Sequence, residues 1–572
     1  MRTTMAALVT LLTLVGLVAA PADARADDPD ELVPYIVGGS PSPPSTWPAM
    51  VALVSSDGSD GLRQFCGGTL VRPDLVVTAA HCAEVNDFYL DPTGLSVLAG
   101  RTDLSHGGGE LIAVSSVTLH PSWNRVSLSG DLALLHLAHD AQQQVAPFVD
   151  RDVEPHWATE PAATIVGWGG TTTQGTSSSV LLQRSVEVLS DDACATRFSS
   201  YYQAGFDLCA GGVGYGTCHG DSGGPLYATD RSGVQSLVGV ISRGVKDCGT
   251  APGVMTRLAA YADWVRETTM SDATDRIAGT DRYATAAALS SRMAPGVGVV
   301  YLASGESFPD AVTSAAVAPA AGGPVLLTSR DALPAATRAE LVRLRPQRLV
   351  IVGGTGAISA DVMSDAAVAA GVAATRLSGP NRYSTAVEIS RDAFPAGAGV
   401  AYVTVGTAFA DAVASGPIAG AADGGPVLLT ETGSLGVDVV DELRRLDPDR
   451  IVVLGGTSAV GAGVEAQLEG IAPVERIRGA DRYATSVALS AATFAPGIDV
   501  VYLATGRSFP DALTSGPAAV ADGAPVLLID GRHIPPSVAA EILRLQPEHL
   551  VVLGGTSAIP LATMWDLDRL LQ

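Results

Sequence analysis

Along residues 36 to 260 the apolar positions come in short runs, among them Met50 to Val54, Leu75 to Thr78, Ser96 to Ala99 and Leu132 to Leu137, divided by Gly, Pro, Ser and Asp. Short strands with turn signals between them predict an all-β sandwich or barrel. Only Arg257 to Thr269 carries a helical pattern in this stretch, placed to close the domain. Beyond residue 270 the pattern changes. Runs such as Val299 to Leu302, Val325 to Leu327 and Leu349 to Val352 alternate with helical stretches such as Pro334 to Leu344. Continuous apolar strands separated by helices predict buried parallel sheet with helical crossovers.

The α/β part repeats itself. Arg276 to Thr285 (RIAGTDRYAT) recurs as Arg376 to Thr385 and Arg476 to Thr485, a spacing of 100 residues. A second block recurs as Tyr301 to Ala311, Tyr402 to Ala412 and Tyr502 to Ala512, and a third as Leu349 to Thr355, Ile451 to Thr457 and Leu550 to Thr556. Each period has the size of a minimal α/β domain. The expected repeats are 272–370, 371–470 and 471–572, after an all-β domain at 36–268. A chain of 572 residues exceeds what one hydrophobic core supports, which agrees with this division.

Composition refines the picture at three points. The net charge of −24 disfavours nucleic acid or an anionic membrane surface as main partner, since both need clustered positive charge. Residues 1–26 run from Arg2 through an apolar stretch, Ala6 to Ala20, to Ala24-Arg25-Ala26, the pattern of a secretory signal peptide. No second such stretch follows, and Trp565 to Gln572 has no hydrophobic tail, so no transmembrane anchor is expected and any hold on a surface is expected to be noncovalent. All six cysteines lie between Cys66 and Cys248. An even count in an exported chain implies three disulfides, and the sequence alone leaves 15 pairings open.

Three local motifs carry candidate chemistry: Thr78-Ala79-Ala80-His81-Cys82, Gly130-Asp131-Leu132-Ala133-Leu134-Leu135 and Gly220-Asp221-Ser222-Gly223-Gly224-Pro225. A hydroxyl needs a base to become a nucleophile, and a base needs a group that orients it. In this order the motifs resemble the chymotrypsin family of serine proteases over about residues 36–268. Ile36-Val37-Gly38-Gly39, Phe65 to Leu70 (FCGGTL), Gly167-Trp168-Gly169 and Pro252-Gly253-Val254 extend the match. The resemblance implies two packed β-barrels with the site between them, and disulfides Cys66–Cys82, Cys194–Cys209 and Cys218–Cys248. It also implies a triad of Ser222 as nucleophile, His81 as base and then acid, and Asp131 as its orienter, with the N–H groups of Gly220 and Ser222 as oxyanion hole. Neither cofactor nor metal is called for.

The same resemblance makes 27–35 an activation peptide. Cleavage between Tyr35 and Ile36 would free an α-amine to pair with Asp221. Tyr35 stands where digestive relatives have Arg or Lys, which disfavours a trypsin-type activator. The base of the specificity pocket maps to Gly216 and its walls to Gly244 and Gly253, an open uncharged pocket for an aromatic or large apolar residue. Two departures bear on finer preferences: Arg243 stands where the family usually has Trp, and Asp247 lies near the pocket mouth.

The repeats resemble the cell-wall-binding repeat found in tandem triplets on surface proteins of gram-positive bacteria. That family packs three units about a pseudo-threefold axis and binds anionic wall polymers. This part has 31 Asp and Glu against 21 Arg, so an anionic polymer needs a local basic site. Arg282, Arg382 and Arg482 are the candidates, although an Arg beside Asp at a helix start also serves as capping and salt-bridge structure. Asp310, Asp411 and Asp511 read as helix N-caps. The expected protein is a secreted, extracellular, wall-associated endopeptidase acting on a protein or peptide substrate. The alternatives are a freely released protease with spacer or protein-binding repeats, and a wall-bound adhesion protein with an inactive protease domain.

Overall fold

The computed structural model describes residues 36–56, 62–85, 88–89, 94–148, 163–171, 177–229, 234–408, 414, 416, 419, 424–508 and 511–571. The proposed signal peptide 1–26 and activation peptide 27–35, with Tyr35, lie outside the described residues, as does Asp411. The chain forms two compact units, Met1–Ala262 and Asp263–Gln572.

The named strands of the first unit pair antiparallel. Its strands are β1 (Ser40–Pro41), β2 (Met50–Ser56), β3 (Leu62–Arg72), β4 (Leu75–Thr78), a small hairpin of β5 (Glu84–Val85) and β6 (Phe88–Tyr89), β7 (Leu95–Ala99), β8 (Glu110–Leu119) and β9 (Ala133–Leu137). They continue as β10 (Ala163–Gly167), β11 (Leu182–Val186), β12 (Asp207–Ala210), β13 (Pro225–Thr229), β14 (Gln235–Arg243) and β15 (Gly253–Arg257). A closed barrel runs β2-β3-β4-β9-β8-β7, and a seven-stranded sheet runs β1-β11-β10-β13-β14-β15-β12. The second sheet also closes: the chain just after β11 bridges to β12 at Val188 and Ala210, with Leu189 N–H donating to Cys209 O at 2.9 Å and Gly211 N–H to Glu187 O at 3.0 Å. This is the expected pair of barrels, each filled by alternating residues such as Leu53, Val97 and Leu135 in one and Ile165, Leu226 and Val238 in the other.

Helix α3 (Leu258–Thr269) follows β15, one residue inside the predicted span. Among the described residues of this unit, α-helices α1 (Ala80–Ala83) and α2 (Asp191–Phe198) also form, where the apolar pattern predicts none. One turn is too short to show a period. Helix α2 starts at Ser190, whose side chain accepts from Ala193 N–H, with Asp191 and Asp192 in its first turn, so its signal is a cap rather than a stripe.

The second unit holds three parallel four-stranded sheets. The first repeat supplies β16 (Thr274–Ile277), α4 (Arg282–Ser290), β17 (Val300–Ser304), α5 (Pro309–Val317), β18 (Val325–Thr328), α6 (Ala335–Leu344), β19 (Leu349–Val352) and α7 (Ala360–Ala370). The second supplies β20 (Ala374–Leu377), α8 (Arg382–Ala393), β21 (Val400–Val405), β22 (Val427–Thr430), α9 (Val437–Leu446), β23 (Arg450–Leu454) and α10 (Ala462–Glu469). The third supplies β24 (Val474–Ile477), α11 (Arg482–Thr493), β25 (Val500–Thr505), α12 (Gly516–Ala521), β26 (Val526–Ile529), α13 (Pro536–Leu545), β27 (His549–Leu553) and α14 (Leu561–Asp568).

The sheets do not follow the sequence period. Their orders are β18-β17-β19-β20, β22-β21-β23-β24 and β26-β25-β27-β16, so each takes its last strand from the next repeat and the third takes β16 from the first. The exchange makes a closed ring. Tyr301, Val325 and Val350 share one core with Tyr502, Val526 and Val551, and Ala316, Tyr402 and Leu489 share another. Among the described residues no helix is long and apolar enough to cross a membrane.

Candidate active site

His81 lies on α1 directly after β4, and Asp131 precedes β9, the neighbour of β4 in the first barrel. That pairing brings them together although 50 residues separate them. Asp131 is fully buried and accepts from His81 twice, at Oδ1 from the backbone N–H (2.9 Å) and at Oδ2 from Nδ1 (2.8 Å). Burial pulls the imidazole pKa down, but the charge of Asp131 and its hydrogen bond outweigh that and hold it above the ordinary value. With Nδ1 turned to Asp131, Nε2 is the nitrogen left for substrate chemistry.

Ser222 sits on a turn pinned against the first barrel. Gly67 N–H of β3 donates to Ser222 O at 2.7 Å, and Thr78 Oγ1 at the end of β4 donates to Gly67 O at 2.8 Å. A Cβ on Gly223, whose φ is +78°, would lie 2.2 Å from Thr78 Oγ1, so only glycine allows this approach. The nucleophile turn is thus fixed to the strand that leads into His81. Gly220 has φ +94°, and its carbonyl accepts from Gln64 Nε2 at 2.8 Å. Among the described residues the N–H groups of Gly220 and Ser222 have no backbone acceptor, as an oxyanion site requires.

Asp221 is fully buried, accepting from Gly169 N–H at 2.8 Å and Cys218 N–H at 2.9 Å. Burial pushes its carboxyl up to about 7 against the pull of those two amides. Ile36 is buried too, and Val37 bridges to Gly216, whose N–H donates to Val37 O at 3.1 Å. The Ile36-Val37 segment therefore backs directly onto the base of the expected pocket.

A cavity of about 230 Å³ opens beside Ser222, lined by Thr217, His219, Ser242, Arg243, Gly244 and Lys246 among others. Gly244 and Gly253 face each other, since a Cβ on Gly244 would meet only the Gly253 Cα, at 3.9 Å. A Cβ on Gly216 would meet nothing within 4 Å, and one on Gly253 would strike Thr217 Oγ1. Two disulfides brace the region, Cys66–Cys82 next to His81 and Cys218–Cys248 across the pocket, and Cys194–Cys209 ties α2 to β12. Cys66, His81 and Cys82 bring three ligand atoms within 4.8 Å of one another, but the sulfurs are bonded to each other and offer no thiolate to a metal.

Two side chains differ from what the motifs suggest. Arg243 lines the cavity, but its guanidinium is engaged in an ion pair with the buried Asp207. Asp247 is exposed and its carbonyl accepts from Thr250, while Lys246 lines the cavity. Ser242, which motif reading passes over, donates from Oγ to Asp131 Oδ2 at 2.6 Å, and Thr256 Oγ1 donates to Asp131 O at 2.8 Å. A polar residue directly after the run Leu237 to Ile241, next to Arg243, was the available signal.

In the repeats Asp281, Asn381 and Asp481 cap α4, α8 and α11. Arg282 and Arg382 donate from Nη1 to Gly305 O and Gly406 O, each at 2.6 Å, and Arg482 donates likewise to Gly506 O. Arg382 also acts on Asp310 of the first repeat, and Arg282 on Asp511 of the third. Asp310 is not an N-cap: it lies in the first turn of α5, whose cap position is Phe308, and a Cβ on Gly353 would strike its carboxylate. Asp511 lies in a turn before α12 and stands in the same way under Gly554. Burial lifts Asp310 to about 6 despite Arg382.

Comparison with known proteins matches residues 36–265 to the trypsin family model. Residues 276–363, 376–465 and 476–564 match cell wall binding domain 2. A trypsin of Saccharopolyspora erythraea is 36% identical over 236 residues, 41% of this chain and 97% of that protein. Chymotrypsin-like elastase family member 1 of Macaca fascicularis is 31% identical over 41% of this chain and 90% of its own length. Chymotrypsin-C of Mus musculus is 31% identical over 45% and 97%. Cwp6 from Clostridium difficile shares the fold with a TM-score of 0.50 at 18% identity, over 65% of this chain and 58% of that one. The chain belongs to the trypsin family of serine endopeptidases, and three copies of cell wall binding domain 2 follow its protease domain.

Proposed function

We propose that the protein is a secreted serine endopeptidase that hydrolyses peptide bonds through Ser222, His81 and Asp131 while its repeats hold it at the cell wall. The observation that carries this reading is the buried Asp131 paired with His81 Nδ1 at 2.8 Å, with Ser222 on the adjoining cavity. His81 Nε2 takes the Ser222 proton as Oγ attacks the carbonyl carbon, and the oxyanion is met by the N–H groups of Gly220 and Ser222. The imidazolium, stabilised by Asp131, gives the proton to the leaving amine. Water then repeats the sequence on the acyl-enzyme and restores the Ser222 hydroxyl. The oxyanion donors contribute about 3 kcal/mol each.

Cleavage follows aromatic or large apolar residues, because the expected pocket is open at Gly216 and Gly244 and the Arg243 guanidinium is paired with Asp207. Tyr35 fits the same pocket, so the chain cuts itself between Tyr35 and Ile36, and the freed amine pairs with Asp221. A peptide library reads the preference: cleavage chiefly after Tyr, Phe and Leu is expected, and cleavage chiefly after Arg or Asp contradicts it. N-terminal sequencing of wild type beside Ser222→Ala reads the activation. A Ser222→Ala chain that begins at Ile36 as readily as wild type assigns the cut to an outside protease.

The repeats hold the protein to an anionic wall polymer. Arg282, Arg382 and Arg482 each bond a glycine carbonyl within their own repeat, so polymer contact there competes with the bonds to Gly305, Gly406 and Gly506. Sedimentation with gram-positive walls is the check, and equal binding to walls stripped of anionic polymer removes the polymer from this account.

A further inference from the structure

Strand β14 ends in Ser242 and Arg243, and the guanidinium of Arg243 is buried, with 8% of the side chain exposed. Its donors are used inside the fold. Nη2 pairs with Asp207, itself 4% exposed, while Nε and Nη2 donate to Tyr201 O at 3.0 and 2.7 Å. Nη1 donates to Leu128 O at 3.2 Å and to Ser242 Oγ at 3.1 Å. Ser242 Oγ donates in turn to Asp131 Oδ2 at 2.6 Å, the same oxygen that meets His81 Nδ1. Asp207, Arg243, Ser242, Asp131 and His81 therefore form one unbroken chain of polar contacts.

A buried ion pair is weak evidence for stability, because desolvating both charges offsets most of their attraction; what it supplies is geometry. Here two things need holding. Ser242 has a single hydroxyl proton, and accepting from a cation directs that proton to the carboxylate and polarises it. The two turns that Arg243 grips each contain a non-glycine residue with a left-handed backbone, Leu128 at φ +53° and Ser199 at φ +49°. Leu128 lies three residues before Asp131, so the grip on its carbonyl sets the path of the chain into the site. A planar five-donor fork can serve all these acceptors at once, whereas an ammonium or an indole cannot.

We propose that Arg243, held by Asp207, is a positioning residue for Asp131, its buried guanidinium fixing the Ser242 hydroxyl and the Leu128 turn. This rests on the Ser222, His81 and Asp131 reading of the site. The test is the rate at which a small dialkyl fluorophosphate, too short to reach along β14, modifies Ser222 in the full chain, secreted and processed like wild type. Asp207→Asn/Arg243→Gln removes the pair without stranding a buried charge. It is expected to react about tenfold more slowly than wild type, with Ser242→Ala added to it costing less than about twofold more. Arg243→Lys, which keeps the charge but not the fork, is expected to react as slowly as the double variant. A folded double variant reacting within about twofold of wild type overturns the proposal, and where that variant does not fold, Arg243→Lys at the wild-type rate does so. Wild type that does not react at all fails the triad reading itself, and the positioning role with it.

Discussion

His81 is held between burial, which favours the neutral ring, and Asp131, which favours the imidazolium and prevails. Only the neutral ring can take the Ser222 proton, so kcat/KM is expected to fall as pH drops through a value above the ordinary 6.5. A pH profile with an acid limb centred at or below about 6 contradicts this. Steric detail at the same scale explains a motif. A Cβ on Gly169 would lie 2.3 Å from Asp221 Cγ, so Gly169→Ala must displace the carboxylate that precedes the nucleophile. That variant is expected to lose about 10²-fold or more in kcat, measured on a peptide substrate, while still being secreted. The motifs around His81, Asp131 and Ser222 were legible in the sequence because each is local, and the structure joins His81 to Asp131. The ion pair of Arg243 with Asp207 was not, since nothing near either residue announces a partner 36 positions away.

The elements couple activation to the pocket. Val37 bridges to Gly216, and a Cβ on Gly249 would strike Val37, so the segment that begins the chain after the proposed cut is seated between two turns of the expected pocket. Asp221, lifted to about 7 from 3.8 with two amides as its donors, makes the unprocessed fold bind its proton more tightly than the unfolded chain does. The sign follows: the unprocessed fold loses stability as pH rises from about 4 to about 7, and a freed Ile36 amine beside Asp221 removes that loss. Melting temperatures of Ser222→Ala, unprocessed and processed in trans by wild type, are expected to coincide near pH 4 and to differ by about 4 °C or more at pH 7, the processed form being higher. Equal melting temperatures at both pH values contradict the pairing. Strands β4, β18 and β19 were readable from apolar runs to within a residue of their observed ends. Helices α1 and α2 were not, one being a single turn and the other marked only by Ser190 and two acidic residues.

At the scale of the whole molecule, the period of 100 residues shows where repeats begin but not which strand completes which sheet. The first arginine of each repeat gives the physical reason for the exchange. Arg276, Arg376 and Arg476 donate to Gly554 O, Gly353 O and Gly455 O at 2.6, 2.7 and 2.7 Å, so each enters its repeat from a neighbouring sheet's turn. A second periodic device lies inside each repeat: Ser290, Ser390 and Ser490 donate to the buried Glu340, Glu442 and Glu541, which pair with Arg343, Arg445 and Arg544. No residue at the motif starts signals it. Because β16 completes the third sheet, deleting residues 471–572 leaves β16 without β27 and exposes the shared cores. The shortened chain is expected to be digested by an added protease throughout residues 272–470, while the intact chain resists. Equal resistance would show that the repeats stand alone.

Hydrolysis of a peptide with Tyr or Phe before the scissile bond, compared between wild type and Ser222→Ala that has been processed in trans to the same N-terminus and purified free of wild type, bears most directly on the reading of His81, Asp131 and Ser222. The expected result is a loss on the order of 10⁴-fold or more in kcat, because the hydroxyl is a reaction partner rather than packing. A Ser222→Ala chain that retains activity within about tenfold of wild type contradicts the assignment.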